Sequence, residues 1–350
     1  MSVIRYVIFS LAALSLGPAY PRFVVEETTI GQVHAAFQNH TLTCRALVDT
    51  YLARIARYDH QGPELNAIAS INPLAQTEAA RLDKAFAERG LTGPLHCVPV
   101  IVKDNIQTAG WETTAGSLAL KGFIPDRDAT AITRLKAAGA IILAKSNMSD
   151  LALNALATVN LIQGATRNPY ALNRVPAGSS GGTAVAVAAN FGLVGLGTDT
   201  GNSVRGPAAH ASLVGIRPTL GLTSRAGLIP LDMQSDAIGP MARTVEDAAM
   251  VLDCLLVMTR RIPRRRSCGS GQPSRRCWLR QGTGLTASGS ASCGRPIRAA
   301  IFDWIRRLRV FLRTRSTTWR VWVRRWWIPS PSSLSPTCLG RRPATASNTT

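Results

Sequence analysis

Three short segments of the sequence carry side chains of the kinds that acyl-transfer chemistry uses. Lys103 ends the apolar run PVIVK, Ser179 and Ser180 lie inside GSSGG, and Ser203 lies in GTDTGNSVR. A neutral lysine amine can act as a base and a serine hydroxyl as a nucleophile. Free backbone N–H groups in a glycine-rich turn can bind an oxyanion. If the fold brings these segments together, they predict a hydrolytic site.

Lys103 is the candidate base because the strand it ends is rich in apolar, β-branched residues. Desolvation disfavours the ammonium form, and a pKa about 3 units below the usual ~10.4 would give a neutral amine near neutral pH. Two structural alternatives stay open for this lysine taken by itself. Its ammonium reaches the surface, or it pairs with Asp104.

The serine segments have structural alternatives as well. Ser179 and Ser180 open a predicted helix between glycines, where backbone N–H groups are free, but serines at a helix start are also ordinary N-caps. Ser203 follows a predicted strand in a turn whose consecutive N–H groups can form an anion-binding nest. The alternative is a structural turn with a surface serine, because glycine-rich turns after strands are common.

Apolar periodicity predicts the elements that position these segments. Thr41 is the expected N-cap of one helix, Pro73 and Gly90 bound the next, and Thr244 caps a later one. Strands are predicted over residues 65–72, 98–105, 140–144 and 193–199. Strands and helices alternate, which indicates an α/β fold around a largely parallel or mixed sheet. In such sheets, chemistry is found at strand ends and helix starts.

In this order, the three segments make the sequence resemble the amidase signature family. That family has a lysine at a strand end, then a Gly-Ser-Ser-Gly-Gly helix start, then a Gly-Thr-Asp-x-Gly-x-Ser-x-Arg turn. Its bridging serine lies 24 residues before its nucleophile, as Ser179 does before Ser203. The resemblance covers about residues 28–253. It implies an α/β fold of the amidase-signature type, with a mixed sheet flanked by helices, that is incomplete at its C-terminal end.

The resemblance also implies a role for each site residue. Ser203 is the nucleophile, Ser179 bridges through a cis peptide bond, and neutral Lys103 is the base. Backbone N–H groups from Thr200 through Gly201 and Asn202 to Ser203 form the oxyanion hole. Three further residues support the site: Asp199 and Arg205 hold the loop, and Ser180 adds a hydrogen bond. No cofactor and no metal are expected.

Two departures from the family pattern stand out. The commonest family turn is Gly-Gly-Ser, whereas this chain has Gly201-Asn202-Ser203; asparagine also accepts left-handed backbone angles. Family members are usually longer, and their second half completes the sheet and helps to wall the substrate pocket. In this chain a basic segment stands in that place.

The net charge of +20 is concentrated in that basic segment. Residues 259–350 have almost no acidic side chains, no lysine, and six of the seven tryptophans. This Arg/Ser/Trp-rich composition is what a GC-rich coding region gives in a shifted frame, or it marks a disordered tail. The competing interpretation is a basic arm that binds nucleic acid or an anionic membrane.

The N-terminus and the cysteines indicate the compartment and the thiol chemistry. Residues 1–19 have Arg5 before a short apolar run and then small residues, which predicts a secretory signal peptide, with a buried N-terminal helix as the alternative. Residues 20–258 are then the amidase domain. Cys44, Cys97 and Cys254 lie in apolar surroundings and are expected to be core thiols, and no cysteine or histidine has metal-ligand spacing.

We therefore expect a secreted or secretory-pathway amidase that hydrolyses a carboxamide C–N bond. Its partner is a small-molecule amide; we expect no nucleic acid and no membrane span, and the oligomeric state stays open. The alternative within the family is an amidotransferase A-type subunit that transfers ammonia to a charged tRNA, which the signal peptide disfavours. From other classes, an inactive truncated amidase-like protein and a tail-driven membrane or nucleic-acid binder stay open.

Overall fold

A computed structural model of the chain describes residues 23–257. The predicted signal peptide, residues 1–19, and the basic segment, residues 259–350, lie outside the described residues. Within the described part, no helix is long and apolar enough to cross a membrane. The helices are α1 Ile30–Gln38, α2 Cys44–Tyr58, α3 Ala75–Arg89, α4 Thr130–Ala137, α5 Gly181–Ala188, α6 Arg205–His210 and α7 Val245–Leu255. The strands are β1 Ile68–Ile71, β2 Pro99–Lys103, β3 Ile141–Ser146, β4 Val159–Asn160, β5 Gly164–Ala165, β6 Val194–Asp199, β7 Val214–Gly215 and β8 Ala237–Ala242.

A mixed six-stranded sheet forms the centre of the described fold, with the order β1-β3-β2-β6-β8-β7. Strand β2 is parallel to both β3 and β6, and the outer pairs are antiparallel. Strands β2, β3 and β6 are buried along their whole length. Because parallel strands end at the same edge of a sheet, Lys103, Ser146 and Asp199 reach one edge together. The α/β fold predicted from the sequence is confirmed.

Local signals explain where the predicted helices begin and end. Thr244 caps α7 and Gly90 ends α3, as expected. The cap of α2 is Thr43 rather than the predicted Thr41: the Thr43 hydroxyl accepts from the Ala46 N–H, whereas the Thr41 hydroxyl donates to the end of α1. Two threonines at i and i+2 offer the same sequence signal, and contact with α1 decides between them.

Helix α1 and strand β8 are among the elements that the sequence analysis did not predict. Helix α1 has a capping box, in which Thr29 and Gln32 bond each other's backbone N–H groups, and this spacing was readable in the sequence. Strand β8 contains Gly239 and Pro240, residues that usually argue against an inner strand. In this fold β8 pairs with β6 along its length but with β7 only at its last residues. The proline is therefore accommodated where the β7 side of the ladder is short.

The prediction of core thiols is wrong for two of the three cysteines. Cys44 and Cys97 form a disulfide with a Cα–Cα distance of 5.7 Å. The bond joins the first residue of α2 to the segment just before β2, and both residues are buried. Apolar surroundings suit a buried thiol and a buried disulfide equally well, so sequence alone did not distinguish them.

The disulfide is expected to contribute substantially to stability. Its half-cystines are 53 positions apart, and closing a loop of that length in the unfolded chain removes entropy worth about 4 kcal/mol. We expect the double variant Cys44→Ala/Cys97→Ala to lose free energy of unfolding of that order in urea titrations of the full chain. Cys254→Ala, which leaves the bond in place, is the matched control. Equal unfolding midpoints for the double variant and the control would contradict this.

Candidate active site

Lys103 lies at the end of a central strand with its amine surrounded by hydroxyl and carbonyl oxygens. The side chain is fully buried. Its Nζ lies 2.6 Å from Ser179 Oγ, 2.9 Å from Thr198 Oγ1 and 3.4 Å from the Thr198 carbonyl oxygen. Both structural alternatives for this lysine are wrong, because it neither reaches the surface nor pairs with Asp104.

Burial is the main reason why the Lys103 amine is a weak base in this fold. Desolvation lowers the pKa of Lys103 to about 7, against the opposing Coulombic effect of Asp236 and Asp199. The amine is therefore close to half neutral near neutral pH. An ordinary surface lysine carries its proton at that pH almost without exception.

Asp104 instead faces a second buried lysine, Lys145 of β3. The Lys145 Nζ lies 3.6 Å from the Asp104 carboxylate and donates to the Ile106 carbonyl at 2.7 Å and to Thr113 Oγ1 at 2.9 Å. Desolvation lowers the pKa of Lys145 to about 8, while Asp104 opposes that effect. This buried pair fixes the segment that follows Lys103. Because Asp104 faces Lys145, the Lys103 amine contacts Ser179 and Thr198 instead.

Ser179 and Ser180 lie directly before helix α5, but neither hydroxyl caps it. The N-cap of α5 is Ser180, which makes no side-chain capping bond. Its Oγ donates to the Thr198 carbonyl at 3.2 Å and accepts from the Thr198 N–H at 3.3 Å. The peptide bond between Gly178 and Ser179 is cis, as the family resemblance implies. The ordinary N-cap interpretation is therefore wrong for these serines.

The glycines of this segment are required by close packing. A Cβ on Gly182 would lie 2.1 Å from the Asn147 carbonyl oxygen, and one on Gly181 would lie 2.2 Å from Thr158 Oγ1. No side chain of any size fits at such distances. The start of α5 can therefore approach the sheet closely enough for Ser179 to reach Lys103.

The turn that carries Ser203 is shaped by the buried carboxylate of Asp199. Asp199 Oδ2 accepts from the Val204 N–H at 3.0 Å and from Arg205 Nε at 3.0 Å, and Oδ1 accepts from Arg217 Nη1 at 3.1 Å. Burial alone would raise the pKa of Asp199, but the hydrogen bonds from Arg205 and Val204 outweigh it, so the pKa is lowered. The carboxylate therefore folds residues 199–205 back on themselves.

Ser203 lies within this turn and is 4 % exposed. Within residues 23–257 its hydroxyl makes no hydrogen bond, and the N–H groups of Gly201, Asn202 and Ser203 donate to no acceptor. The structure thus joins Lys103, Ser179 and Ser180 through Thr198, and it places Ser203 four residues beyond Asp199 without a hydrogen bond to Ser179. The roles of these residues remain predictions.

Three residues of the site were missed by the sequence analysis. Thr198 provides two of the three oxygens around the Lys103 amine. Arg217 binds Asp199 from a distant segment, and Asp236 accepts from the Thr200 hydroxyl at 2.5 Å. Thr198 lies in the same motif as Asp199 and could have been suspected, because its hydroxyl lies one residue before the turn. No local sequence pattern distinguishes Arg217 or Asp236 as a residue of the site.

Comparison with known proteins agrees with this geometry. The amidase family model matches residues 46–276, most of the chain. The chain belongs to the amidase family. A probable amidase of Arabidopsis thaliana is 40 % identical over 243 residues, which cover 67 % of this chain and 46 % of the plant protein. The A-type subunit of the glutamyl-tRNA(Gln) amidotransferase of Desulfatibacillum aliphaticivorans is 41 % identical over 232 residues, covering 66 % and 47 %.

Solved structures of the amidase family resemble the chain in the same part. The native peptide amidase of Stenotrophomonas maltophilia is similar with a TM-score of 0.64 and 43 % identity. That similarity covers 66 % of this chain and 48 % of the solved one. The chain thus spans about half the length of the relatives that it matches.

Burying the Lys103 side chain should cost the fold stability, and the cost should depend on pH. Below about pH 7 the folded and unfolded chains both carry the ammonium, and the folded chain must bury it. Between about pH 7 and about 10.5 the folded amine is neutral while the unfolded amine is still protonated, and above that range both are neutral. We expect Lys103→Met to raise the free energy of unfolding at about pH 6 by on the order of 3 kcal/mol, once lost hydrogen bonds are allowed for. The gain should shrink as the pH rises toward about 10.

Denaturant unfolding of the full chain at these two pH values measures the effect. Lys84→Met, at an exposed position of α3, is the matched control and should change stability little at either pH. A Lys103→Met chain that is less stable than the wild type at both pH values would show that the buried amine is not costly.

Proposed function

We propose that the chain hydrolyses a carboxamide C–N bond through an acyl-enzyme on Ser203, with Ser179 and Lys103 as the proton relay. The observation that carries this proposal is the 2.6 Å contact between Lys103 Nζ and Ser179 Oγ at a fully buried position. A base whose pKa is about 7 is matched to proton transfer near neutral pH. A small-molecule amide is the proposed substrate class.

The hydrogen-bond donors and acceptors around Lys103 Nζ support proton transfer from Ser179 to Lys103. A neutral amine has two N–H donors and one lone pair. The Thr198 carbonyl oxygen can only accept, and Thr198 Oγ1 also accepts from Asn105 Nδ2 at 3.1 Å. When both N–H groups of Lys103 point at Thr198, the lone pair faces the Ser179 hydroxyl. Thr198 therefore orients the base.

In the proposed reaction Ser179 passes its proton to Lys103 and takes the proton of Ser203, while Ser203 Oγ attacks the carbonyl carbon. The N–H groups of Gly201, Asn202 and Ser203, which have no acceptor among residues 23–257, suit the oxyanion that forms. As the C–N bond breaks, the proton returns through Ser179 to the leaving nitrogen. Water then cleaves the acyl ester by the same route. Substrate binding must bring Ser203 Oγ within hydrogen-bond distance of Ser179.

An amidotransferase A-type subunit is the second candidate, and similarity to named relatives favours it as strongly. The Desulfatibacillum A-type subunit matches this chain at nearly the same identity as the Arabidopsis probable amidase. The two functions differ in where the nitrogen of the cleaved amide goes. An amidase releases product from a simple aryl amide by itself, whereas the A-type subunit passes ammonia to a charged tRNA. Transfer of ammonia from a primary carboxamide to a charged tRNA, with no release of arylamine from the aryl amide, would favour the second candidate.

We propose further that the chain is exported, because the disulfide between Cys44 and Cys97 fits an oxidising compartment and residues 1–19 have the pattern of a signal peptide. When the chain is expressed with residues 1–19 in place, we expect the exported fraction to begin near residue 20. Mass spectrometry of that fraction measures the processing. A chain that keeps residues 1–19 and stays in the cytoplasm with both cysteines reduced would contradict the proposal.

The proposed mechanism is tested by removing the nucleophile. We expect Ser203→Ala to lower kcat/KM for a generic aryl amide by at least about 10³-fold, because the other hydroxyl of this turn, that of Thr200, donates to the Asp236 carboxylate. Ser212→Ala, an exposed serine beyond α6, is the matched control and should keep wild-type kinetics. A folded Ser203→Ala chain with undiminished hydrolysis would exclude Ser203 as the nucleophile.

A further inference from the structure

We propose that Asp236 is a positioning residue that fixes the Ser203 turn and brings to the site a buried carboxylate that no lysine or arginine within residues 23–257 neutralises. This inference rests on the proposed function of Lys103 and Ser203. Asp236 lies directly before strand β8 and is 2 % exposed. It touches neither Ser203 nor Lys103, so it acts through the residues that it holds.

Asp236 ties the first residue of the turn to a neighbouring segment. One carboxylate oxygen accepts from the Thr200 hydroxyl at 2.5 Å. The other accepts from the backbone N–H groups of Leu231 and Asp232, at 2.9 and 3.1 Å. All of these donors are in half-buried surroundings, so one side chain fixes both Thr200 and the 227–236 segment.

The 227–236 segment also holds the other half of the site. The Gly227 carbonyl accepts from the Gln107 N–H at 2.9 Å. Ile229 donates its N–H to the Asn105 carbonyl at 2.8 Å and accepts from Asn105 Nδ2 at 3.3 Å. The segment therefore bridges the chain that follows Lys103 to the turn that carries Ser203, and Asp236 is its anchor on the Ser203 side.

The charges around Lys103 are unequally compensated. Asp199 is held by the guanidinium groups of Arg205 and Arg217. On the other side, Asp104 and Lys145 face each other. In contrast, no lysine or arginine nitrogen within residues 23–257 lies within 4.0 Å of the Asp236 carboxylate.

This imbalance gives Asp236 an effect on proton affinity that a purely structural residue would lack. Its charge raises the pKa of Lys103, in opposition to the larger effect of burial. Removing the charge should therefore lower the pKa of Lys103 further below about 7. Removing only the hydrogen bond between the Thr200 hydroxyl and Asp236 should make the turn more mobile and leave the pKa of Lys103 unchanged.

Two variants separate these effects. Asp236→Asn keeps the shape and one acceptor but removes the charge and the acceptor for the Leu231 and Asp232 N–H groups. Thr200→Val removes the hydroxyl donor and keeps the charge. Asp232→Asn, a half-exposed aspartate four residues away that does not contribute to the shift of Lys103, is the matched control.

The experiment is an NMR titration of the full chain labelled with ¹³C at lysine Cε, with Lys103 assigned by its loss in Lys103→Met. Hydrogen exchange of the Val204 and Arg205 amides is followed in the same samples. We expect Asp236→Asn to lower the Lys103 midpoint by about one pH unit, and Asp232→Asn to leave it unchanged. We expect Thr200→Val to leave the midpoint unchanged but to speed exchange of the two amides by about tenfold or more.

Neither readout needs catalysis, so a chain that lacks amidase activity would remove the proposed function while still testing Asp236. An unchanged Lys103 midpoint in Asp236→Asn would overturn the charge effect. Unchanged exchange in both Asp236→Asn and Thr200→Val would overturn the positioning role. If Asp236→Asn fails to fold, Asp236→Glu, which keeps the charge but displaces the acceptors, must keep the Lys103 midpoint and speed exchange, or the proposal is wrong.

Discussion

The contact between the amine of Lys103 and the hydroxyl of Ser179 is the interaction on which the rest of the site depends. A lysine at the end of a surface strand would carry a solvated charge and would not bond a serine in this way. Here the strand lies between two parallel neighbours in a sheet whose central strands are fully buried. Glycines at the start of α5 then allow that helix to approach closely enough to present Ser179 to the amine.

Keeping that amine close to neutral requires control of the charges around it. A bare carboxylate at Asp199 would favour the ammonium form, but Arg205 and Arg217 bind it and also use it to shape the turn. The Asp104 carboxylate is paired with Lys145. Hydrogen bonds and ion pairs therefore serve two purposes in this site. They fix the backbone around Ser203, and they compensate the negative charges of Asp199 and Asp104, which would otherwise favour the ammonium form of Lys103.

The sequence predicted the parts of this arrangement that depend on local patterns. Apolar, β-branched residues before Lys103 predicted a buried strand, and glycines around Ser179 and Ser203 predicted tight segments at the same sheet edge. It could not separate Thr41 from Thr43 as a cap, because contact with α1 decides that choice. Strand β8 was not predicted because a proline usually argues against an inner strand. Pro240 is tolerated here because β7 pairs only with the last residues of β8.

Residues that act from distant segments were beyond local reasoning. Arg217 and Asp236 are 18 and 37 positions from Asp199 along the chain, and the pairing of β8 with β6 and of β7 with β8 brings them to the turn. The disulfide between Cys44 and Cys97 was missed for the same reason, since it joins a helix start to a segment before β2. Such contacts depend on sheet order, which no periodicity of the sequence encodes.

In the folded chain the Lys103 amine loses its proton at about pH 7, whereas an ordinary lysine keeps its proton up to about pH 10. The most direct measurement is the ¹⁵N spectrum of lysine Nζ in the full chain at about pH 7.5, compared with the same spectrum of Lys103→Met. We expect one predominantly neutral amine signal that is absent in the variant. An ammonium signal for Lys103 that persists to about pH 9 would contradict it.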